Sequence, residues 1–205
     1  MASSFLNIST LAGLLLFIQK YKMRLVQIAQ EYIGEHIGNG SIAIDLTCGN
    51  GKDSVFLARK IGTNGKLYSF DIQENAIEET KNLLLLEDCI SQAHVILRCH
   101  AKFTETIPPE LKGMIDASMI NLGYLPKGDH AITTKTETTI TAILKSYEWL
   151  SSKGVMTILA YRGHPGGEEE NLAVRNLISE KKWNCKTKLG IEQRRSPILY
   201  MISKD

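Results

Sequence analysis

The chain has 205 residues, with 24 Lys and Arg against 22 Asp and Glu, a formal net charge of +2. That near balance excludes attachment to nucleic acid or membrane by overall charge and leaves only local patches. A content of 43% hydrophobic and 22% charged residues excludes a disordered or collagenous chain, and four cysteines without a CxxC pair (Cys48, Cys89, Cys99, Cys185) predict reduced thiols, a cytoplasmic setting and no zinc or other metal site.

Leu11 to Ile18 is an unbroken apolar run, too short to span a bilayer, and the first charge, Lys20, lies behind it rather than ahead as in a secretory signal. Residues 1–22 are therefore expected to form an extension or an amphipathic helix on the edge of the domain, with Met23 offering an internal start. Residues 23–205 are expected to form a single domain, and no membrane association is expected.

From Ser41 the pattern alternates. Ser41–Leu46 reads as a β-branched strand, and Cys48-Gly49-Asn50-Gly51 as the turn after it. Asp53 is placed to cap the following helix, which runs to Lys60. Lys66–Asp71 is a second strand, Glu74–Leu86 a helix, His94–Arg98 a third strand and Met114–Asn121 a fourth. Thr136–Leu150 gathers Ile140, Ile143, Leu144, Tyr147 and Leu150 on one helical face; Val155–Ala160 is a fifth strand and Glu168–Ser179 a helix. Trp183–Leu189 and Ile198–Ser203 then follow with no helix between them, which predicts an antiparallel hairpin. Strands alternating with helices predict a doubly wound, Rossmann-like α/β sheet, mostly parallel, whose loops after the strands' carboxyl ends share one crevice.

Candidate chemistry falls at those ends. Asp45 closes the first strand, Gly49 and Gly51 allow close approach of the backbone to a ligand, and Asp71, twenty residues beyond Gly51, can accept both hydroxyls of a ribose. This is the pattern of a nucleoside-containing cofactor. The third glycine of a dinucleotide fingerprint is missing, and Asp53 would repel a pyrophosphate. S-adenosylmethionine carries an ammonium and a sulfonium and no phosphate, so the same acids favour it. The plainer alternative, a tight turn and a helix cap, accounts for Gly49 and Asp53 and leaves Asp45 and Asp71 unexplained.

After the fourth strand comes Asn121-Leu122-Gly123-Tyr124-Leu125-Pro126-Lys127-Gly128-Asp129, where an Asn oxygen and the next backbone carbonyl could hold a target amine and Tyr124 could stack on a base. A surface loop with a core tyrosine is the alternative. After the fifth strand, Tyr161-Arg162-Gly163-His164-Pro165-Gly166-Gly167 sets a phenol, a guanidinium and an imidazole at the same edge. Lys181, Lys182, Lys186, Lys188, Arg194 and Arg195 surround the hairpin, either as phosphate contacts or as a solvated face.

From about Ser41 onward the chain resembles bacterial rRNA methylase-like proteins, whose better-defined members methylate the aminomethyl group of the tRNA wobble uridine. Asp45-Leu46-Thr47-Cys48-Gly49-Asn50-Gly51-Lys52-Asp53-Ser54-Val55-Phe56-Leu57-Ala58 is similar to their DATCGNGxDTxFLA. Phe70-Asp71-Ile72-Gln73, the intact Asn121–Asp129 segment, Thr134-Lys135-Thr136-Glu137-Thr138-Thr139 and Tyr161–Gly167 follow in the family's order. Gln193-Arg194-Arg195-Ser196-Pro197 departs from it at Arg195, where Asn is common.

The resemblance implies a class I S-adenosylmethionine-dependent methyltransferase with a seven-stranded sheet. It implies cofactor contacts at Asp45, Thr47, Cys48, Gly49, Asn50, Gly51, Asp53, Asp71, Gln73, His100 and Asn121. Acceptor positioning or proton relay falls to Asn121, Tyr124, Tyr161 and His164, and RNA contact to Lys127, Lys135, Arg162, Lys186, Lys188, Arg194 and Arg195. The implied substrate is 5-aminomethyl(-2-thio)uridine in a tRNA anticodon stem-loop, with a homodimer as a further expectation. The alternatives are methylation of an exocyclic base amine in rRNA or another RNA, and a non-catalytic RNA-binding protein of the same fold.

Overall fold

In the computed structural model, residues 25–125, 131–190 and 196–204 are described. The apolar run Leu11–Ile18, Lys127, Arg194 and Arg195 lie outside them. The elements in order are α1 (Leu25–Gly34), β1 (Ile42–Asp45), α2 (Lys52–Ile61), β2 (Lys66–Asp71), α3 (Glu74–Leu86), β3 (Ala93–Leu97), β4 (Ile115–Leu122), α4 (Thr136–Trp149), β5 (Leu150–Ala160), α5 (Gly167–Lys181), β6 (Asn184–Leu189) and β7 (Ile198–Ser203).

One seven-stranded sheet runs β3-β2-β1-β4-β5-β7-β6. β1 pairs in parallel with both β2 and β4, β7 is antiparallel to β5, and β6 is antiparallel to β7. The terminal hairpin thus adds its second strand inside its first, and β7 is the reversed strand. Strand order changes direction at the β1–β4 junction, where an open α/β sheet forms its ligand crevice.

Residue alternation sends each strand's side chains into two cores. Ile44, Tyr68, Phe70, Ile120, Leu122, Met156, Ile158, Tyr200 and Ile202 face α4 and α5, where Ile143, Val174 and Ile178 meet them. Ala43, Leu67, Ala117, Met119, Val155, Leu159, Leu199 and Met201 face α1, α2 and α3. Between β3 and β4, short 3-10 turns at His100–Glu105 and Pro109–Leu111 stand in place of a crossover helix. Phe103 in the first of them packs edge-on against Trp149, with ring centroids 5.7 Å apart, and fills the space a helix would otherwise cover.

Three boundaries differ from the sequence expectation for physical reasons. α1 has no counterpart in it, because its apolar contact, Leu25, Ala29 and Ile33, is a short stripe with no acid in the first turn and no base in the last to mark the helix. β5 begins at Leu150 rather than Val155: Leu150 pairs with Ile115 and Val155 with Ala117, so the residues between bulge out of the sheet. A side chain at Gly154 would stand 2.7 Å from the Ile115 carbonyl oxygen, which is why the bulge closes on glycine. Asp53 does not cap α2. Gly51, at φ 75°, occupies the N-cap, and Asp53 lies inside the first turn with its carboxylate directed elsewhere.

Candidate active site

The carboxyl ends of β1, β2 and β4 converge through hydrogen bonds that lock the first glycine turn. Asp71 accepts the Gly49 N–H at one oxygen and the Gln73 N–H at the other, each at 3.0 Å. Thr80 of α3 donates to the Gly49 carbonyl at 3.1 Å. A Cβ on Gly51 would come within 2.9 Å of the Thr80 backbone, so the turn passes too close to α3 for any side chain there. The result is a glycine-lined shelf beside a carboxylate that retains lone pairs for further donors.

Asp45 is fully buried beneath that shelf. It accepts the Ser54 hydroxyl at 2.7 Å and the Thr47 N–H at 3.2 Å, and Ser54 in turn meets Ser69 at 2.9 Å. Burial, reinforced by the neighbouring charge of Asp53, pushes its carboxyl up to about 7. Burial also raises the Asp71 carboxyl, against the opposing pull of its backbone donors. The Cys48 thiol is buried and raised by desolvation, so it is an inert packing group.

Asn121, at the end of β4, is held twice. Its N–H donates to the Thr47 hydroxyl and its Nδ2 donates to Asp53, both at 2.7 Å. Among the described residues nothing donates to its Oδ1, which leaves that oxygen as an acceptor. The next carbonyl, expected as a second acceptor for an amine, already takes the Tyr161 N–H at 3.0 Å.

The loop beyond Asn121 is tied down by a buried carboxylate that sequence reasoning missed. Glu170 of α5 accepts the hydroxyls of Thr139 at 2.6 Å and Thr134 at 2.7 Å, while Thr134 Oγ1 accepts the Gly123 N–H at 2.9 Å. The TKTETT segment thus links two motif loops through hydroxyls. Tyr124 and His164 meet edge to face, centroids 6.3 Å apart, and Tyr161 stands half-exposed nearby, its backbone paired to Leu122. His164 Nδ1 lies 3.0 Å from the Pro165 carbonyl, which can only accept, so Nδ1 carries a proton; Nε2 is buried with no partner among the described residues.

The remaining candidates fall into separate places. His100 is buried at the β3 end, its Nε2 without a partner, and desolvation lowers its pKa to about 4, so it is neutral. Arg162 is spent on structure: it donates to the Ser196 carbonyl at 2.8 Å and pairs with Glu168 at 3.2 Å. Lys135 is exposed at the start of α4, and Lys186 and Lys188 are exposed on the edge strand β6, apart from the glycine shelf. Among the described residues no group of three or more His, Cys, Asp or Glu could hold a metal ion, and no helix is long and apolar enough to cross a membrane. Further unanticipated residues of the site are Gln30, which donates to Asp53 at 2.7 Å, Ser54, Ser69 and Thr80.

A nucleoside carrying positive charge fits this shelf. Side chains are excluded where its backbone is bare, the Asp71 oxygens keep lone pairs, and the Asp53 carboxylate adds negative charge, joined by Asp45 as its raised carboxyl ionises. The family model described as "Putative rRNA methylase" matches residues 67–204. A chloroplastic tRNA (mnm(5)s(2)U34)-methyltransferase from Arabidopsis thaliana is 30% identical over 203 residues, covering 92% of this chain and 71% of that protein. A "putative rRNA-methylase" from Clostridium thermocellum superposes with a TM-score of 0.81 at 35% identity, covering 87% of this chain and 96% of the other. A "putative methyltransferase" from Streptococcus mutans, in complex with SAH, gives a TM-score of 0.77 at 32% identity, with 88% and 98% covered. The chain belongs to this rRNA methylase family and is an S-adenosylmethionine-dependent methyltransferase.

Proposed function

We propose that the substrate is tRNA, and that the enzyme methylates the primary amine of 5-aminomethyl(-2-thio)uridine at the wobble position to give the 5-methylaminomethyl product. The observation that carries this reading is the orientation of Asn121, whose amide nitrogen is committed to Asp53 and whose oxygen is left as an acceptor at the β4 end. The name of the Arabidopsis relative supports the choice of acceptor.

S-adenosylmethionine supplies a methyl group made electrophilic by its sulfonium. In the proposed division of labour, Asp71 accepts the ribose hydroxyls, the backbone of Gly49, Asn50 and Gly51 lies along the nucleoside, and Thr47, Cys48 and Gln73 shape the shelf. The neutral His100 presents an acceptor nitrogen to the adenine amine. Asp53 provides negative potential that favours the methionine ammonium, and Asp45 adds to it as it ionises near neutral pH.

On the substrate side, Asn121 Oδ1 accepts from the target amine and aims its lone pair, while Tyr124 and Tyr161 flank the base. An ammonium cannot attack, so the amine must first lose a proton, and His164 or the half-exposed Tyr161 is proposed to relay it. With the proton gone no strong base is needed, and positioning and desolvation supply the rate. Lys127, Lys135, Lys186, Lys188, Arg194 and Arg195 would meet the phosphates of the anticodon stem-loop, with Arg162 holding the loop that carries His164. Residues 23–205 would act as one methyltransferase unit, and the free thiols of the four cysteines support a reducing compartment such as the cytoplasm.

Nucleoside mass spectrometry of tRNA from cells lacking the gene tests this reading. Accumulated 5-aminomethyl(-2-thio)uridine with loss of its methylated form is expected. An unchanged wobble nucleoside beside a lost methylated base amine would replace it with the exocyclic-amine alternative.

A further inference from the structure

The carboxylate that orients Asn121 is itself oriented from outside the motif loops. Asp53 is buried, and its two oxygens are divided: Oδ2 takes the Asn121 amide and Oδ1 takes Gln30 Nε2, each at 2.7 Å. An ionised carboxylate only accepts, so both amides must turn their nitrogens toward it, and each leaves its carbonyl oxygen pointing away. Gln30 belongs to α1, whose buried residues Leu25, Ala29 and Ile33 seat the helix on the sheet. From the flank of that stripe Gln30 reaches the first turn of α2, 23 residues on in sequence.

We infer that Gln30 is a positioning residue for methyl transfer, acting through Asp53 on Asn121. The inference rests on the acceptor-orienting role proposed for Asn121. With Gln30 in place, each Asp53 oxygen has its own donor and the carboxylate cannot rotate without breaking a bond on both sides. Without it, Oδ1 is left unpaired in a buried site and the carboxylate is free to swing toward Asn121 or toward water. The Asn121 oxygen then loses its fixed direction, although nothing that touches the glycine shelf has changed.

Single-turnover methyl transfer to tRNA carrying the aminomethyl group, at saturating S-adenosylmethionine and tRNA, tests this in the full chain. Gln30→Leu should slow the step by about tenfold, since small misplacements of an acceptor cost one to two powers of ten in rate. Affinity for S-adenosylmethionine should stay within about twofold, because the missing bond lies behind the site. In an Asn121→Ala background the same substitution should cost nothing more, because its effect passes through that side chain. Gln30→Glu keeps the shape and supplies a proton only when one is shared with Asp53. Asp45, whose carboxyl lies near 7 and feels the charge of Asp53, would also titrate here, so both proteins are compared in an Asp45→Asn background; there the rate of Gln30→Glu relative to Gln30 should rise as pH falls.

Additive losses in the double variant, a fall in cofactor affinity that matches the fall in rate, or a pH-independent ratio for Gln30→Glu would each overturn the inference. A wild-type rate for Gln30→Leu beside a slow Asn121→Ala would overturn it alone, and a wild-type rate for Asn121→Ala would remove the role of Asn121 along with it.

Discussion

Asn121 and Asp53 are joined by a 2.7 Å hydrogen bond that ties the end of β4 to the first turn of α2. The bond fixes which end of the Asn121 amide faces the crevice, and so separates the residue's duty from that of the glycine shelf. Asn121→Ala should lower single-turnover methyl transfer on the order of a hundredfold, and His164→Ala less, with affinity for S-adenosylmethionine largely kept. A loss of cofactor binding equal to the loss of rate would move Asn121 into the cofactor site.

Asp71 carries the opposite expectation. Its oxygens hold Gly49 and Gln73 and are proposed to hold the ribose, so Asp71→Ala should weaken cofactor binding by about 1.5–3 kcal/mol in a folded protein. Calorimetry checks this against far-UV circular dichroism of the same sample. Unchanged affinity would leave Asp71 as a brace for the turn.

Asp45 makes stability depend on pH. Its folded pKa, about 7, lies above its ordinary value of 3.8, so over that interval the folded chain keeps a proton that the unfolded chain has released. The contribution is fully present below the unfolded value and is lost as pH rises through the folded one. Denaturant titration of the ligand-free protein should show stability falling from about pH 4 to about pH 7 through this group, and Asp45→Asn should flatten the fall. The amide can still accept from Thr47 and donate to Ser54, so the variant keeps the local bonds. An identical pH slope in the variant would place the titration elsewhere.

Much of this arrangement was legible in the sequence, for reasons tied to particular residues. The strands showed because β-branched runs such as Ile42–Asp45 end in an acid and a glycine turn, and the crevice followed from their parallel order. Asp71 and Asn121 stood at strand ends, where side chains must face that crevice. Asp53, by contrast, looked like a helix cap, because its neighbours in sequence offer backbone N–H groups, while its actual donors, Gln30 and Asn121, come from 23 and 68 residues away. Glu170 looked like one of three acids in a helix's first turn, Glu168, Glu169 and Glu170, and only the packing of α5 against α4 buries it among threonines. Periodicity reads faces; it does not read which side chains meet across them.

Lys186 and Lys188 lie exposed on β6, where phosphate contact would add to tRNA affinity. Replacing both with Gln should weaken tRNA binding and flatten its dependence on salt, by about 0.9 or less in the logarithmic slope for each phosphate no longer neutralised. Methyl transfer at saturating tRNA should be unaffected. An unchanged slope would make this strand a solvated face.

The most direct measurement is methyl transfer by the purified protein, with S-adenosylmethionine, to tRNA whose wobble uridine carries the aminomethyl group, followed by nucleoside mass spectrometry. The account predicts 5-methylaminomethyl(-2-thio)uridine as the product, and no methylation of the same tRNA when the wobble uridine is unmodified. Methyl groups appearing on a base amine elsewhere, or equally in both tRNAs, would contradict it.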